Sequence, residues 1–82
     1  MEQEFYLLGH WSNAYRAYDR EYFWSGPFDS RAEALAAGKR RQDYGQPKTF
    51  VDWVKGSNKC YSSRELLVKA AAKVGMTPKF RD

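Results

Sequence analysis

Two Ser-x-x-Glu sequences, Ser30-Arg31-Ala32-Glu33 and Ser62-Ser63-Arg64-Glu65, restrict what this chain can become. In such a capping box, the serine hydroxyl and the glutamate carboxylate satisfy backbone donors that the first helical turn leaves orphaned. Each box therefore starts a helix, with Asp29 a competing cap for the first. In the first helix Ala32, Leu35 and Ala36 make a narrow apolar stripe suited to lying close against a sheet. Lys39-Arg40-Arg41 falls in its last turn, and Asp43-Tyr44-Gly45-Gln46-Pro47 ends it. In the second helix Tyr61 and Leu66 staple the start, and Leu66, Leu67, Ala70, Ala71 and Val74 line one face. Gly75 suits the C′ position, and Thr77-Pro78 prevents continuation. The boxes lie 32 residues apart but their flanks differ, so shared capping chemistry relates them, not an internal repeat.

The segments between the helices read as strands. Glu4-Phe5-Tyr6-Leu7-Leu8 is apolar on both alternating faces, as a strand covered on both sides would be. Gly9 and Ser12-Asn13 offer places to bend or turn. Residues 14–20 fit two patterns: Tyr15, Tyr18 and Tyr22 follow helical spacing, while Tyr18, Arg20, Tyr22 and Trp24 alternate as in a strand. The β-formers Tyr22-Phe23-Trp24 favour a hairpin returning from the first strand, broken at Gly26-Pro27. Thr49–Lys55 is the next strand, with Asp52 interrupting the face of Phe50 and Val54, and Gly56-Ser57-Asn58-Lys59 is a turn. The last residues fray unless Phe80 docks, so 76–82 is expected to be a flexible tail. The sum is one small α+β domain over residues 1–82, ordered β-β-α-β-α. It has an antiparallel sheet of about three strands and two helices.

A chain of 82 residues has room for one modest core, so most large apolar side chains must serve packing. No apolar run is long enough to span a bilayer, and Met1-Glu2-Gln3-Glu4 lacks the basic start of a secretory signal. Cys60 is the only cysteine, which fits a reducing cytoplasm and no internal disulfide. With one cysteine and one histidine, His10, no metal site is expected, and no glycine-rich phosphate loop is present. Cys60 with His10 is the one nucleophile–base pair worth weighing, and nothing orients such a base. We therefore expect no enzyme, no cofactor, no small-molecule substrate and no membrane partner.

Binding is the function class left. Of fourteen aromatic residues, six (Trp11, Tyr15, Tyr18, Tyr22, Phe23 and Trp24) fall within one 14-residue stretch, more than a core this size readily takes. Trp11, Tyr15, Arg16 and Tyr18 are the expected partner contacts. Lys39, Arg40 and Arg41, with Lys48 beyond them and Lys69 and Lys73 on the second helix, form the expected basic patch. Charge is divided along the chain. Residues 1–28 carry two basic and four acidic side chains, residues 29–82 twelve and six. Single-strand binders interleave rings with positive charge. Here the rings crowd the acidic half, which ranks a protein partner ahead of nucleic acid.

The run Tyr22-Phe23-Trp24-Ser25-Gly26-Pro27-Phe28-Asp29-Ser30-Arg31-Ala32-Glu33-Ala34 resembles a strand–turn–helix element of small phage and prophage accessory proteins. It is also similar to the final strand and helix start of the arm-type DNA-binding domains of phage integrases. Those domains have a three-stranded sheet and one helix, whereas this chain continues into another strand and helix. The resemblance implies a mobile-element accessory protein, of a kind that acts by occupying a host protein's surface. The expectation is a non-enzymatic protein-binding module that inhibits or adapts a host defence or nucleic-acid-processing complex. Direct DNA or RNA binding by the basic C-terminal half is the alternative.

Overall fold

The structure is a computed structural model and describes residues 3–16, 18–44 and 52–80. Its elements run β1 (Phe5–Asn13), β2 (Arg20–Phe28), α1 (Arg31–Tyr44), β3 (Trp53–Tyr61) and α2 (Arg64–Ala72). The three strands form one antiparallel sheet in the order β2-β1-β3. This is the expected α+β fold in the expected β-β-α-β-α order.

Alternation along β1 divides the core into two layers. Leu7 and Trp11 face one side, where they meet Phe23 and Ala34, with Phe5, Phe28, Trp53 and Cys60 around them. Tyr6 and Leu8 face the other and meet Leu67, with Tyr22, Trp24, Tyr61, Ala70, Met76 and Phe80 at the border. Ala34 belongs to α1 and Leu67 to α2, so the helices cover opposite faces of the sheet. Tyr6, Leu7 and Leu67 are fully buried, each contributing about 1.5–3 kcal/mol of apolar transfer.

Local details depart from the sequence reading in instructive ways. β1 runs on to Asn13, with Gly9 inside it and no bend there. β2 continues through Gly26-Pro27 to Phe28, and the irregularity is absorbed as a register shift against Phe5–Leu7. Residues 14–16, 18 and 19 are neither helix nor strand, and Asn13 holds the start of this connection: its Oδ1 accepts from the N–H groups of Tyr15 and Arg16, both at 2.9 Å.

Helix α1 buries Ala34, Gly38 and Gln42, while Ala32, Leu35 and Ala36 are exposed. The sheet beneath is already filled by Leu7, Trp11 and Phe23, so the helix needs missing side chains more than apolar ones. A Cβ on Gly38 would come within 2.6 Å of Leu7. Ser30 Oγ accepts from Glu33 N–H at 3.1 Å as the box requires, and Glu33 reaches back to Asp29 N–H at 3.2 Å. The helix ends at Tyr44, inside the segment expected to end it, but only Arg41 of the basic triplet lies in the last turn.

Gly56-Ser57-Asn58-Lys59 is not a turn but the middle of β3, which begins at Trp53. Gly56 is required by close approach: a Cβ there would collide with the His10 ring and carbonyl. The remainder of the expected strand, with Phe50, and the loop residue Lys48 lie outside the described residues. In α2 the cap is Ser63, not Ser62. Its side chain accepts from Leu66 N–H at 3.2 Å, which moves Glu65 out of the box and onto Lys69 at 3.4 Å. Leu67 and Ala71 are buried as expected, but Leu66 is largely exposed. Gly75, at φ 77°, closes a Schellman motif: its N–H donates to the Ala72 carbonyl at 3.2 Å, and Met76 N–H donates to Ala71 at 2.9 Å. Phe80 does dock, tilted on Trp24 at 5.0 Å and edge-on to Tyr6 at 5.7 Å, which lays Met76–Phe80 along the sheet.

The cap position is checked by paired substitutions. Ser63→Ala should cost about 1 kcal/mol in urea unfolding, whereas Ser62→Ala should stay within about 0.5 kcal/mol of the parent. Equal losses would return the cap to Ser62.

Candidate functional site

The two helices cover the sheet unequally. Helix α1 has 14 residues and α2 only nine, against nine-residue strands. At about 1.5 Å per helical residue and 3.3 Å per strand residue, α2 spans less than half the length of the strands it lies on. Beside α2 the sheet leaves an open groove of about 470 Å³.

Every strand contributes to this groove. Its sheet side carries His10 from β1, Arg20 and Tyr22 from β2, and Ser57, Lys59 and Tyr61 from β3. Its helical wall includes Lys69 and Lys73. Four cations thus surround three rings, and among the described residues no carboxylate lines the groove. Glu65 stands outside it, paired with Lys69 between two exposed side chains, a contact worth little in water.

The His10 ring is held by contacts from two neighbouring strands. It meets Tyr22 edge-to-face at 5.3 Å, lies against Gly56, and accepts at Nδ1 from Ser57 N–H at 3.4 Å. Burial and then the nearby Arg20 guanidinium lower its pKa from 6.5. Its backbone carbonyl accepts from Gln42 Nε2 at 3.0 Å, and Gln42 Oε1 accepts from Asn58 Nδ2 at 3.1 Å. A buried polar chain across the sheet therefore ties α1 to the strand segment that presents His10.

The expected site residues separate into three places. Trp11, expected as a partner contact, is buried: it is 3% exposed, tilted against Phe23 at 4.8 Å, and its Nε1–H donates to the Gln42 carbonyl at 3.4 Å. The alternation that put Tyr6 under α2 put Trp11 under α1. Tyr15 and Tyr18, at 83% and 82% exposure, do stand in water, with Arg16 between them bonded to Asp19 at 3.0 Å. The basic patch does not exist as one surface. Lys39, Arg40 and Arg41 are on α1 and Lys69 and Lys73 on α2, on opposite faces of the sheet. Arg40 and Arg41 instead line a shallow groove with Phe23, Trp24 and Tyr44 beside the β2 edge.

His10, Arg20, Tyr22, Lys59 and Tyr61 were not singled out as a site in the sequence. Their only signal is alternation on three separate strands, which has no meaning until register is known. Cys60 lies with the α1 layer while His10 faces the other way, so the nucleophile–base pair does not form. Among the described residues no group of three or more His, Cys, Asp or Glu side chains could hold a metal ion. Nor is any described helix long and apolar enough to cross a membrane. Comparison with known proteins gives no match to a family model, a curated protein or a solved structure.

Two predictions follow from this geometry. Trp11→Ala should cost about 3–5 kcal/mol, while Tyr15→Ala and Tyr18→Ala should each stay within about 0.5 kcal/mol, as read from thermal melts. A small loss at Trp11 would put the ring outside the core. The second concerns pH. A lowered His10 pKa means the unfolded chain takes up the proton first. The contribution of His10 to stability is complete above about pH 6.5 and is lost as pH falls through the folded value. The stability difference between the parent and His10→Gln should therefore narrow on acidification below about pH 6.5. A difference that does not change with pH would contradict the assignment.

Proposed function

We propose that this protein is a non-enzymatic nucleic-acid-binding module acting in a reducing cytoplasm, and that the groove beside α2 is its binding site. The observation that carries the reading is the meeting of rings from the acidic half of the chain with cations from the basic half. His10, Arg20 and Tyr22 come from one; Lys59, Tyr61, Lys69 and Lys73 come from the other. The separation that ranked nucleic acid second is thus a property of the linear sequence and not of the surface. Positive side chains without facing carboxylates attract phosphate chains at long range, and flat rings among them give bases somewhere to lie.

A second reading keeps the protein partner. Tyr15 and Tyr18 are exposed on a connection anchored by Asn13, and rings held this way lose little freedom on docking. With the phage-type strand–turn–helix element, this supports a mobile-element accessory protein that occupies a host complex. The two readings are compatible, since the loop and the groove use different residues.

Fluorescence anisotropy with a labelled oligonucleotide at several salt concentrations tests the first reading. With four contacting cations, log affinity against log salt should have a slope of about −3. Lys59→Ala and Lys73→Ala should each flatten it by about 0.7, and Lys39→Ala on α1 should leave it unchanged. Absence of binding at low salt would remove the nucleic-acid reading and leave the tyrosine loop as the candidate surface.

A further inference from the structure

We infer that the groove beside α2 selects single-stranded nucleic acid: an unpaired base lies on the ring floor while phosphates are held by Arg20, Lys59, Lys69 and Lys73. This rests on the nucleic-acid reading above and specifies its ligand. A duplex meets a steric limit at this groove. A major groove is about 12 Å wide and admits one helix or a two-stranded ribbon. Here the face in question belongs to a three-stranded sheet with α2 standing on it. Neighbouring strands are about 4.8 Å apart and a helix adds about 10 Å of thickness, so the assembly is too broad to enter. A duplex laid across the outside would reach the lysine tips but not the floor.

A single strand has no such difficulty. The volume of about 470 Å³ falls in the range of roughly 300–1,000 Å³ that receives small organic groups. The four cations, on β2, β3 and α2, are exposed, while the rings of His10, Tyr22 and Tyr61 are half-buried. That division matches a strand whose phosphates stay near water and whose base turns inward. Stacking on rings is tolerant of base identity because every base has a π-face, so binding should show little sequence preference. His10 adds a fifth charge when protonated. A phosphate beside it favours that form, so single-strand affinity should rise as pH falls, opposite in sign to the effect on stability. The groups facing His10 are Arg20 and Tyr22 on β2, Ser57 and Lys59 on β3, and Lys69 and Lys73 on α2.

The test compares a labelled oligothymidylate, a mixed-sequence single strand, a duplex of equal length and a polyphosphate competitor, all at low salt. Both single strands should bind at least about tenfold more tightly than the duplex. Tyr22→Leu keeps apolar bulk without the ring and should weaken single-strand binding about tenfold, the effect of one lost stacking contact, while Tyr22→Phe retains it. The inhibition constant of polyphosphate, corrected for the affinity of the labelled strand, should be unaffected by either change. Photo-crosslinking of the parent protein to the single strand provides a second measurement that does not depend on the variants folding. Crosslinks should fall in peptides carrying His10, Tyr22 or Tyr61. Equal affinity for duplex, or crosslinks confined to Tyr15, Tyr18 or Tyr44, would overturn the single-strand assignment while leaving nucleic-acid binding in place. Failure of every polyanion to bind would overturn both.

Discussion

Burial of β1 on both faces is the constraint from which the rest of this structure follows. The strand lies between β2 and β3, so its backbone is paired on both edges. Its side chains divide strictly, Leu7 and Trp11 under α1, Tyr6 and Leu8 under α2. A chain of this size must order its backbone at about 1–2 kcal/mol per residue and has to bury much of its apolar surface to offset that cost. Sharing one strand between two layers achieves this without a second sheet. It also explains why α1 approaches through Ala34 and Gly38: the bulk on that side comes from the sheet, and the helix only closes it.

The same economy leaves one face unfinished. Helix α2 turns off at Gly75, and the chain then runs back along the sheet to seat Phe80 against Tyr6 and Trp24. That return covers one end of the face and abandons the other, where His10 and Tyr22 line the floor. An open sheet end is a consequence of element lengths. Its charge is not. Arg20, Lys59, Lys69 and Lys73 gather there, with Glu65 meeting Lys69 from outside the groove, and like charges held together oppose folding. Packing gives no reason for them to converge.

What was legible in the sequence follows the range of the interaction involved. Helix starts and ends rest on contacts within a turn, and Ser30, Gly75 and the order of elements could be read directly. Even so, the cap of α2 shifted from Ser62 to Ser63, because two adjacent serines offer the same hydroxyl and only tertiary packing of Leu67 chooses the phase. The exposure of Tyr15 and Tyr18 could be anticipated from crowding, but not that Trp11 would be excluded from their company. Glycine was the most misleading residue. Gly56 looks like a turn beside Ser57-Asn58, yet it is there because the His10 ring occupies the space a side chain would need. Nothing local distinguishes the two reasons. The groove was invisible for the same cause, since its members are brought together by strand register alone.

That register turns on a single extra residue. Between Gly9 and Trp11 the pairing of β1 with β3 slips: Trp11 lies opposite Lys55, but Gly9 lies opposite Asn58. On the Trp11 side of the slip, odd-numbered residues of β3 face α1, so Trp53 joins the Trp11 layer and Lys55 bonds to Asp43. Past it the parity reverses: Asn58 and Cys60 turn toward α1, and Ser57, Lys59 and Tyr61 toward the groove. A regular strand would have buried Lys59 beneath α1 and left Asn58 and Cys60 on the open face. The bulge avoids that cost and supplies the groove with a cation and a ring in one step. It is held from the α1 side by Gln42, which bonds to the His10 carbonyl opposite the slip and to the Asn58 side chain beyond it. The residue that keeps the core in phase is therefore also the one that decides what the open face presents.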